Sequence, residues 1–130
     1  MLRRPLLHLI ILGLAACSDP SGPTATGTWG GTDASLTLGP TGGTLGYFCG
    51  TGTIDSGWTL TTDGHLAGTG EHFFGGGPLP PQGHPSHPAV YTGQIRGELL
   101  SLTVSLTDLQ QVLGPFQLRR GGPVVVEQCD

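Results

Sequence analysis

Residues 99–107 read LLSLTVSLT, and this stretch decides the fold class. In it Leu or Val alternates with Ser or Thr. Successive side chains of a β-strand point to opposite faces, so the alternation is typical of a strand with one buried face. We predict that residues 89–96 form its partner, because Tyr91 and Ile95 share one parity and Gly97-Glu98 reads as a tight turn.

Similar alternating stretches, separated by Gly, Pro and Asp turn signals, occur along most of the chain. We predict about eight strands, at residues 28–38, 44–54, 57–62, 65–74, 89–96, 99–107, 114–120 and 123–129. Successive hairpins favour an all-β fold, a small antiparallel up-and-down barrel, with a compact β-sandwich as the alternative. Gly68, Gly70 and Gly93 lie inside predicted strands, where glycine permits the bends of a small barrel.

Length and composition limit the function classes. The chain has 130 residues, a length that fits one small domain and excludes a large enzyme scaffold. Only 11% of the residues are charged, Lys is absent and the net charge is −4, so nucleic acid is not an expected partner. The 24 Gly and 11 Pro leave a poorly ordered chain as an alternative to the barrel.

The first residues are typical of a secretory signal. Arg3 and Arg4 precede an apolar stretch from Leu6 to Leu14, which is too short to span a bilayer. Two alanines then precede Cys17. We therefore predict that residues 1–16 are a signal peptide that is removed on export.

Leu14-Ala15-Ala16-Cys17 resembles the lipobox of bacterial lipoproteins. The resemblance implies that Cys17 carries a diacylglyceryl anchor in the cell envelope. Ser18 stands where an inner-membrane retention signal would place Asp, which implies the outer membrane in a Gram-negative host. Residues 17–26 are then a lipidated flexible tether and residues 27–130 the β-barrel domain. The mature chain would keep three Arg and nine acidic residues, a net charge of −6.

Two cysteines remain once Cys17 is acylated. Export places Cys49 and Cys129 in an oxidising compartment, where we expect them to form a disulfide. Closing a loop of this length contributes up to about 4 kcal/mol in the chain-entropy view. Two free buried thiols are the alternative.

Gly27-Thr28-Trp29 resembles the G-x-W feature that opens lipocalin and avidin-type barrels, where the tryptophan closes one end. The resemblance implies a small barrel, and a barrel of about eight strands either fills with its own side chains or holds one small ligand. We expect a filled interior. A cavity for a small apolar ligand would be lined by five aromatic residues, namely Trp29, Tyr47, Trp58, Tyr91 and Phe116.

A predicted loop at Gly75–Pro88, rich in Gly and Pro, contains two histidines. His84 and His87 lie on it, close to His72 at the end of the preceding strand, with Glu71 beside them. Imidazole suits Zn²⁺ and Cu²⁺, so His72, His84 and His87 are candidate metal ligands. Solvent-exposed loop histidines are the alternative.

The sequence lacks a catalytic signature, because no G-x-S-x-G element is present. We therefore expect a non-enzymatic, lipid-anchored binding or structural module without a cofactor. A periplasmic lysozyme inhibitor is an alternative, because Tyr47-Phe48-Cys49 and Gln128-Cys129-Asp130 are similar in placement to residues of the membrane-bound C type. Ser86–Tyr91 is similar to the inhibitory loop of that family, although Ser86 is followed by His-Pro rather than Gly. A metal-binding envelope protein is the other alternative.

Overall fold

The structure is a computed structural model that describes residues 24–47, 49–75 and 85–123. These residues form strands joined by short turns, and they contain no helix long and apolar enough to cross a membrane. The strands are β1 (Gly27–Gly30), β2 (Ala34–Gly39), β3 (Gly42–Tyr47), β4 (Gly50–Ile54), β5 (Thr59–Leu60), β6 (His65–Phe74), β7 (Ser86–Arg96), β8 (Leu99–Leu106) and β9 (Gln111–Arg120).

The sheet closes into an antiparallel barrel of eight strands. Each strand pairs with the next along the chain, except that β4 pairs with β6, and β9 returns to pair with β1. The ninth strand, β5, lies beside β6 on the edge that β4 also uses. The prediction of an up-and-down barrel is confirmed, and the alternative of a β-sandwich is wrong because the sheet closes on itself.

Two predicted strands are each a hairpin. Residues 28–38 contain β1 and β2, and the turn between them is closed by a hydrogen bond from Gly31 N to Ala34 O of 3.0 Å. Residues 44–54 contain most of β3 and all of β4, with Cys49 in the turn at a φ of 60°. The inward parity changes from odd to even residues across both turns. Alternation alone merged the strands because β1 and β4 each contain only one large apolar side chain, Trp29 and Ile54, so the change could not be recognised.

The remaining boundaries differ less. The strand predicted at 65–74 is confirmed, whereas the one predicted at 57–62 shrinks to the two residues of β5. β7 begins at Ser86, three residues before its predicted start, although Pro88 has no N–H to donate. Pro88 is tolerated because it pairs only with β6. The pairing of β7 with β8 begins one residue later, so no bond to β8 requires an N–H at position 88. The strand predicted at 123–129 lies almost wholly outside the described residues.

The interior is built from alternate residues of the strands. The predicted inward set of β8 is confirmed, because Leu100, Leu102, Val104 and Leu106 are all buried. The other strands contribute Trp29, Ala34, Leu36, Leu38, Leu45, Tyr47, Ile54, Leu66, His72, Ala89, Tyr91, Ile95 and Leu118. Burial of this apolar surface is the main stabilising contribution to the fold.

Large rings fill the interior because glycines face them. Tyr91 is 0% exposed and donates a hydrogen bond from its hydroxyl to Glu71 O at 3.0 Å. A Cβ added to Gly52 on β4 would collide with the Tyr91 hydroxyl. Burial raises the pKa of Tyr91 to about 12, with a smaller contribution from the negative charge of Asp55. The large rings therefore fit in the interior because the glycines that face them have no side chain to occupy the same space.

We predict that Gly52→Ala lowers the free energy of unfolding by about 1–3 kcal/mol, because the added methyl displaces the Tyr91 ring in a filled interior. Chemical denaturation measures this loss. Gly57→Ala is the matched control, because no atom lies within 4 Å of a Cβ built there.

The double variant Gly52→Ala, Tyr91→Phe identifies the cause. Removing the hydroxyl removes the collision, so the cost of the alanine should shrink in the Tyr91→Phe background. An equal cost in both backgrounds would show that the Tyr91 hydroxyl is not the group with which a side chain at position 52 collides.

One end of the barrel, which we call the Trp29 end, is closed by the start of the described chain. Trp29 is 1% exposed and donates from Nε1 to Ala25 O at 2.9 Å. The Arg120 guanidinium lies 4.2 Å from the centre of the Trp29 ring and donates to the carbonyl oxygens of Thr24 and Thr26. Arg120 therefore holds residues 24–26 against the barrel.

We predict that Arg120→Lys lowers the free energy of unfolding by about 1–2 kcal/mol, because an ammonium cannot both stack on Trp29 and reach two carbonyl oxygens. Arg119→Lys on the exposed face of the same strand is the control and should change stability by less than about 0.5 kcal/mol. Equal effects on the denaturation midpoint would contradict the assignment.

Candidate functional site

The opposite end of the barrel, which we call the histidine end, brings two predicted site residues together. His72 near the end of β6 and His87 near the start of β7 are direct partners in the antiparallel register. Both side chains have the inward parity of their strands, which continues to Phe74 on β6. The register therefore places two imidazoles and a phenyl ring side by side at this end.

His72 is enclosed by rings. It is 0% exposed, and its imidazole stacks on Tyr47, with ring centres 5.2 Å apart and planes inclined by 9°. The Phe74 ring meets it edge-on at 4.3 Å between centres, and Phe116 stacks on the far side of the cluster against Tyr47. This environment favours the neutral imidazole, because a charged ring here loses its water.

The ring nitrogens of His72 have few hydrogen-bond partners among the described residues. Its Nε2 lies 3.5 Å from the Tyr47 hydroxyl, a long hydrogen bond, and its buried Nδ1 has no hydrogen-bond partner among the described residues. Burial lowers the pKa of His72 below its ordinary value, and the nearby His87 lowers this pKa further. Both causes disfavour the imidazolium form.

His87 has a carboxylate partner. Its Nδ1 lies 2.7 Å from Oδ2 of Asp108, in the turn between β8 and β9. The side chains are 16% and 41% exposed, so the pair contributes at most about 1 kcal/mol to stability. The contact orients the His87 ring at the rim of the cluster, where it also meets Phe74 at 5.5 Å between ring centres.

The predicted metal site is incomplete in the described chain. His72 and His87 lie together, but His84 lies outside the described residues, and Glu71 is on the outward face of β6. Residues 24–47, 49–75 and 85–123 contain no group of three or more His, Cys, Asp or Glu side chains placed to share one ion. A site that needs His84 stays a prediction.

The five aromatic residues that we named as the lining of a possible cavity belong to the core of the described barrel or pack against it. Trp29, Tyr47 and Tyr91 are buried, and Trp58 and Phe116 are partly buried against the same core. The indole Nε1 of Trp58 donates to Gly39 O at 2.8 Å, which ties the segment before β5 to the end of β2.

The cysteine predictions are not tested. Cys49 is half-buried in the turn between β3 and β4, where its carbonyl accepts a hydrogen bond from Gly75 N at 2.8 Å. Cys129 and Cys17 lie outside the described residues, as do the predicted signal peptide and most of the tether. The disulfide and the lipid anchor therefore stay predictions.

The segment compared with an inhibitory loop is a strand. Ser86–Tyr91 forms the first part of β7, and its Tyr91 points into the barrel, where a partner protein cannot reach it. Phe48 of Tyr47-Phe48-Cys49 and the Gln128-Cys129-Asp130 motif lie outside the described residues.

Sequence reasoning missed Asp108 and Phe74. The parity of Leu66 and His72 extends to Phe74, and that signal could have found it. Asp108 depends on the pairing of β7 with β8, which places the turn after Leu106 beside His87. The tight turn predicted at Gly97-Glu98 fixes this register, but the predicted strand began at residue 89 and left His87 in the preceding loop, so its pairing with the turn was not recognised.

Comparisons with known proteins do not place the chain in a family. No protein-family model, no curated protein and no solved structure matches it. The resemblance of Gly27-Thr28-Trp29 to lipocalin and avidin-type barrels therefore stays a prediction.

We predict that stability falls as the pH falls below 6.5, the ordinary pKa of histidine, toward the lowered pKa of His72 in the folded protein. The unfolded chain binds the proton more readily, so the stabilising contribution of neutral His72 is complete above that ordinary pKa and is lost in this window. One proton limits the slope to about 1.4 kcal/mol per pH unit. Urea denaturation at a series of pH values measures it.

His72→Gln should reduce this slope, because glutamine does not titrate. The control is His65→Gln, the same substitution at an exposed position of the same strand. A slope that is as steep in His72→Gln as in the unaltered protein would exclude His72 as its source.

Proposed function

We propose that this protein is a lipid-anchored protein of the bacterial cell envelope, and that its barrel is a non-enzymatic binding or structural module. The proposal combines the export and lipobox signals of residues 1–17 with the architecture of the described domain. The barrel acts as a rigid support, and any partner meets its outer surface.

The filled interior is the observation that carries this proposal. Leu100, Leu102 and Val104 are all 0% exposed, as is Tyr91 beside them, so no water-sized space adjoins these side chains. A carrier of an apolar molecule needs an enclosed cavity of at least about 300 Å³. Around these residues of the described barrel, side chains occupy the interior space that such a ligand would need.

The histidine end is the surface that we assign to binding. Phe74 is 37% exposed there, and Leu109 and Val112, in and after the turn that holds Asp108, are also exposed. Aromatic and apolar groups at the rim, beside a His–Asp pair, are the composition of many protein contact surfaces. A protein partner in the envelope therefore fits this end better than the barrel interior.

Two measurements on protein expressed in a bacterial host test the proposal. In the first, cell fractionation should place the protein in the membrane fraction, and Cys17→Ala should abolish processing and acylation. Ser18→Ala is the matched control and should be processed normally. Release of the unaltered protein in soluble, unacylated form would contradict the anchor.

In the second, native mass spectrometry of the detergent-extracted protein should give the mass of the acylated chain alone, because the interior is filled. A stoichiometric lipid or pigment that survives mild extraction, and is lost on unfolding, would show instead that the barrel is a carrier.

A further inference from the structure

We propose that the Trp29 end faces the lipid bilayer and that the histidine end is presented away from it, toward other components of the envelope. This inference rests on the proposed function, because it requires the lipid on Cys17. It adds which end of the anchored barrel faces the membrane.

The first step is the point where the chain leaves the barrel. Arg120 donates to the carbonyl oxygens of Thr24 and Thr26, and the intervening Ala25 is buried with its carbonyl on Trp29 Nε1. Arg120 is also held by Glu98, whose Oε2 lies 3.5 Å from Nε. These contacts fix residues 24–26 at the Trp29 end, so the last three residues of the predicted tether are held against the barrel.

The second step is the reach of the tether. The chain from Cys17 to Thr24 extends at most about 25 Å when fully stretched. Two of the intervening residues, Pro20 and Pro23, restrict its freedom further. An acyl anchor on Cys17 therefore keeps Thr24 within this distance of the bilayer surface.

The third step is the height of the barrel. β6 has 10 residues and runs from the Trp29 end to the histidine end. At the usual strand rise and tilt of a small barrel, its ends are separated by about 25 Å along the barrel axis. The histidine end is consequently separated from the tether by the whole barrel, and His87, Asp108 and Leu109 lie on the distal side.

The Trp29 end has a surface that can stand close to lipid headgroups. An open cleft of about 430 Å³ is lined there by polar and charged side chains, together with Ile95 and the backbone of Gly97. The polar lining residues are Thr24, Thr62, Asp63, Glu98 and Arg120. Such a surface faces hydrated headgroups without burying apolar area, so the tether alone determines the distance.

Energy transfer from the barrel to labelled lipid tests the orientation. A fluorescent amino acid is introduced by codon suppression at Thr62, exposed at the Trp29 end, or at Leu109, exposed at the histidine end. The acylated full chain is reconstituted into phosphatidylethanolamine–phosphatidylglycerol vesicles that contain acceptor-labelled phosphatidylethanolamine. Transfer should be several-fold more efficient from position 62 than from position 109.

A longer tether is the control that keeps the fold intact. Insertion of about 20 Gly and Ser residues after Gly22 lets the barrel tumble freely. Transfer from position 62 should then fall toward the value at position 109. Arg120→Lys should produce a smaller change in the same direction, because it frees residues 24–26 and lengthens the tether.

The outcomes separate this inference from the proposed function. Protein that does not float with the vesicles would refute the lipid anchor, and the orientation with it. Protein that floats but transfers equally from both positions, or better from position 109, would leave the anchor standing and overturn the orientation.

Discussion

The pairing of β4 with β6 is the constraint on which the rest of the structure depends. It joins the hairpins of the first half of the chain to those of the second half, and it needs the two strands to approach where bulky inward side chains would collide. Gly50, Gly52 and Gly70 lie at this seam, and the Tyr91 hydroxyl occupies the space beside Gly52. The barrel can therefore close only if its interior also packs well. At this seam good packing requires glycines opposite the large aromatic rings.

Much of the fold was predictable from side-chain alternation. The stretch at 99–107 identified β8 and its inward face, and the hairpin signals identified an up-and-down barrel. The turns after Gly30 and Tyr47 were not predicted, although the inward parity changes from odd to even across each of them, from Trp29 to Leu36 and from Tyr47 to Ile54. β1 and β4 each contain a single large apolar side chain, which has no periodicity to compare with that of the neighbouring strand. Gly31 and Cys49 alone do not distinguish a turn from a bend in a strand.

The candidate site was predicted only in part. His72 and His87 were grouped by their nearness in sequence, and the structure brings them together for a different reason, which is their register on β6 and β7. The grouping did not foresee that His72 would be buried against Tyr47, because that contact joins residues 25 positions apart. The two histidines therefore differ in burial and in contacts. The His72 imidazole is enclosed by rings, whereas the His87 imidazole binds a carboxylate at the rim.

The short strand β5 shows how the barrel wall accommodates a change in chain length. Ile54 is opposite Gly70, whereas Leu60 is opposite Leu66, so the segment between β4 and β5 contains two more residues than the facing part of β6. Two is the period of a strand, and Trp58 and Leu60 therefore stay on the same face as Ile54 and pack on the core. Around Ser56 and Gly57 the wall can thus gain or lose residues in pairs without turning its inner face outward, whereas a single inserted residue would expose the Trp58 ring to solvent.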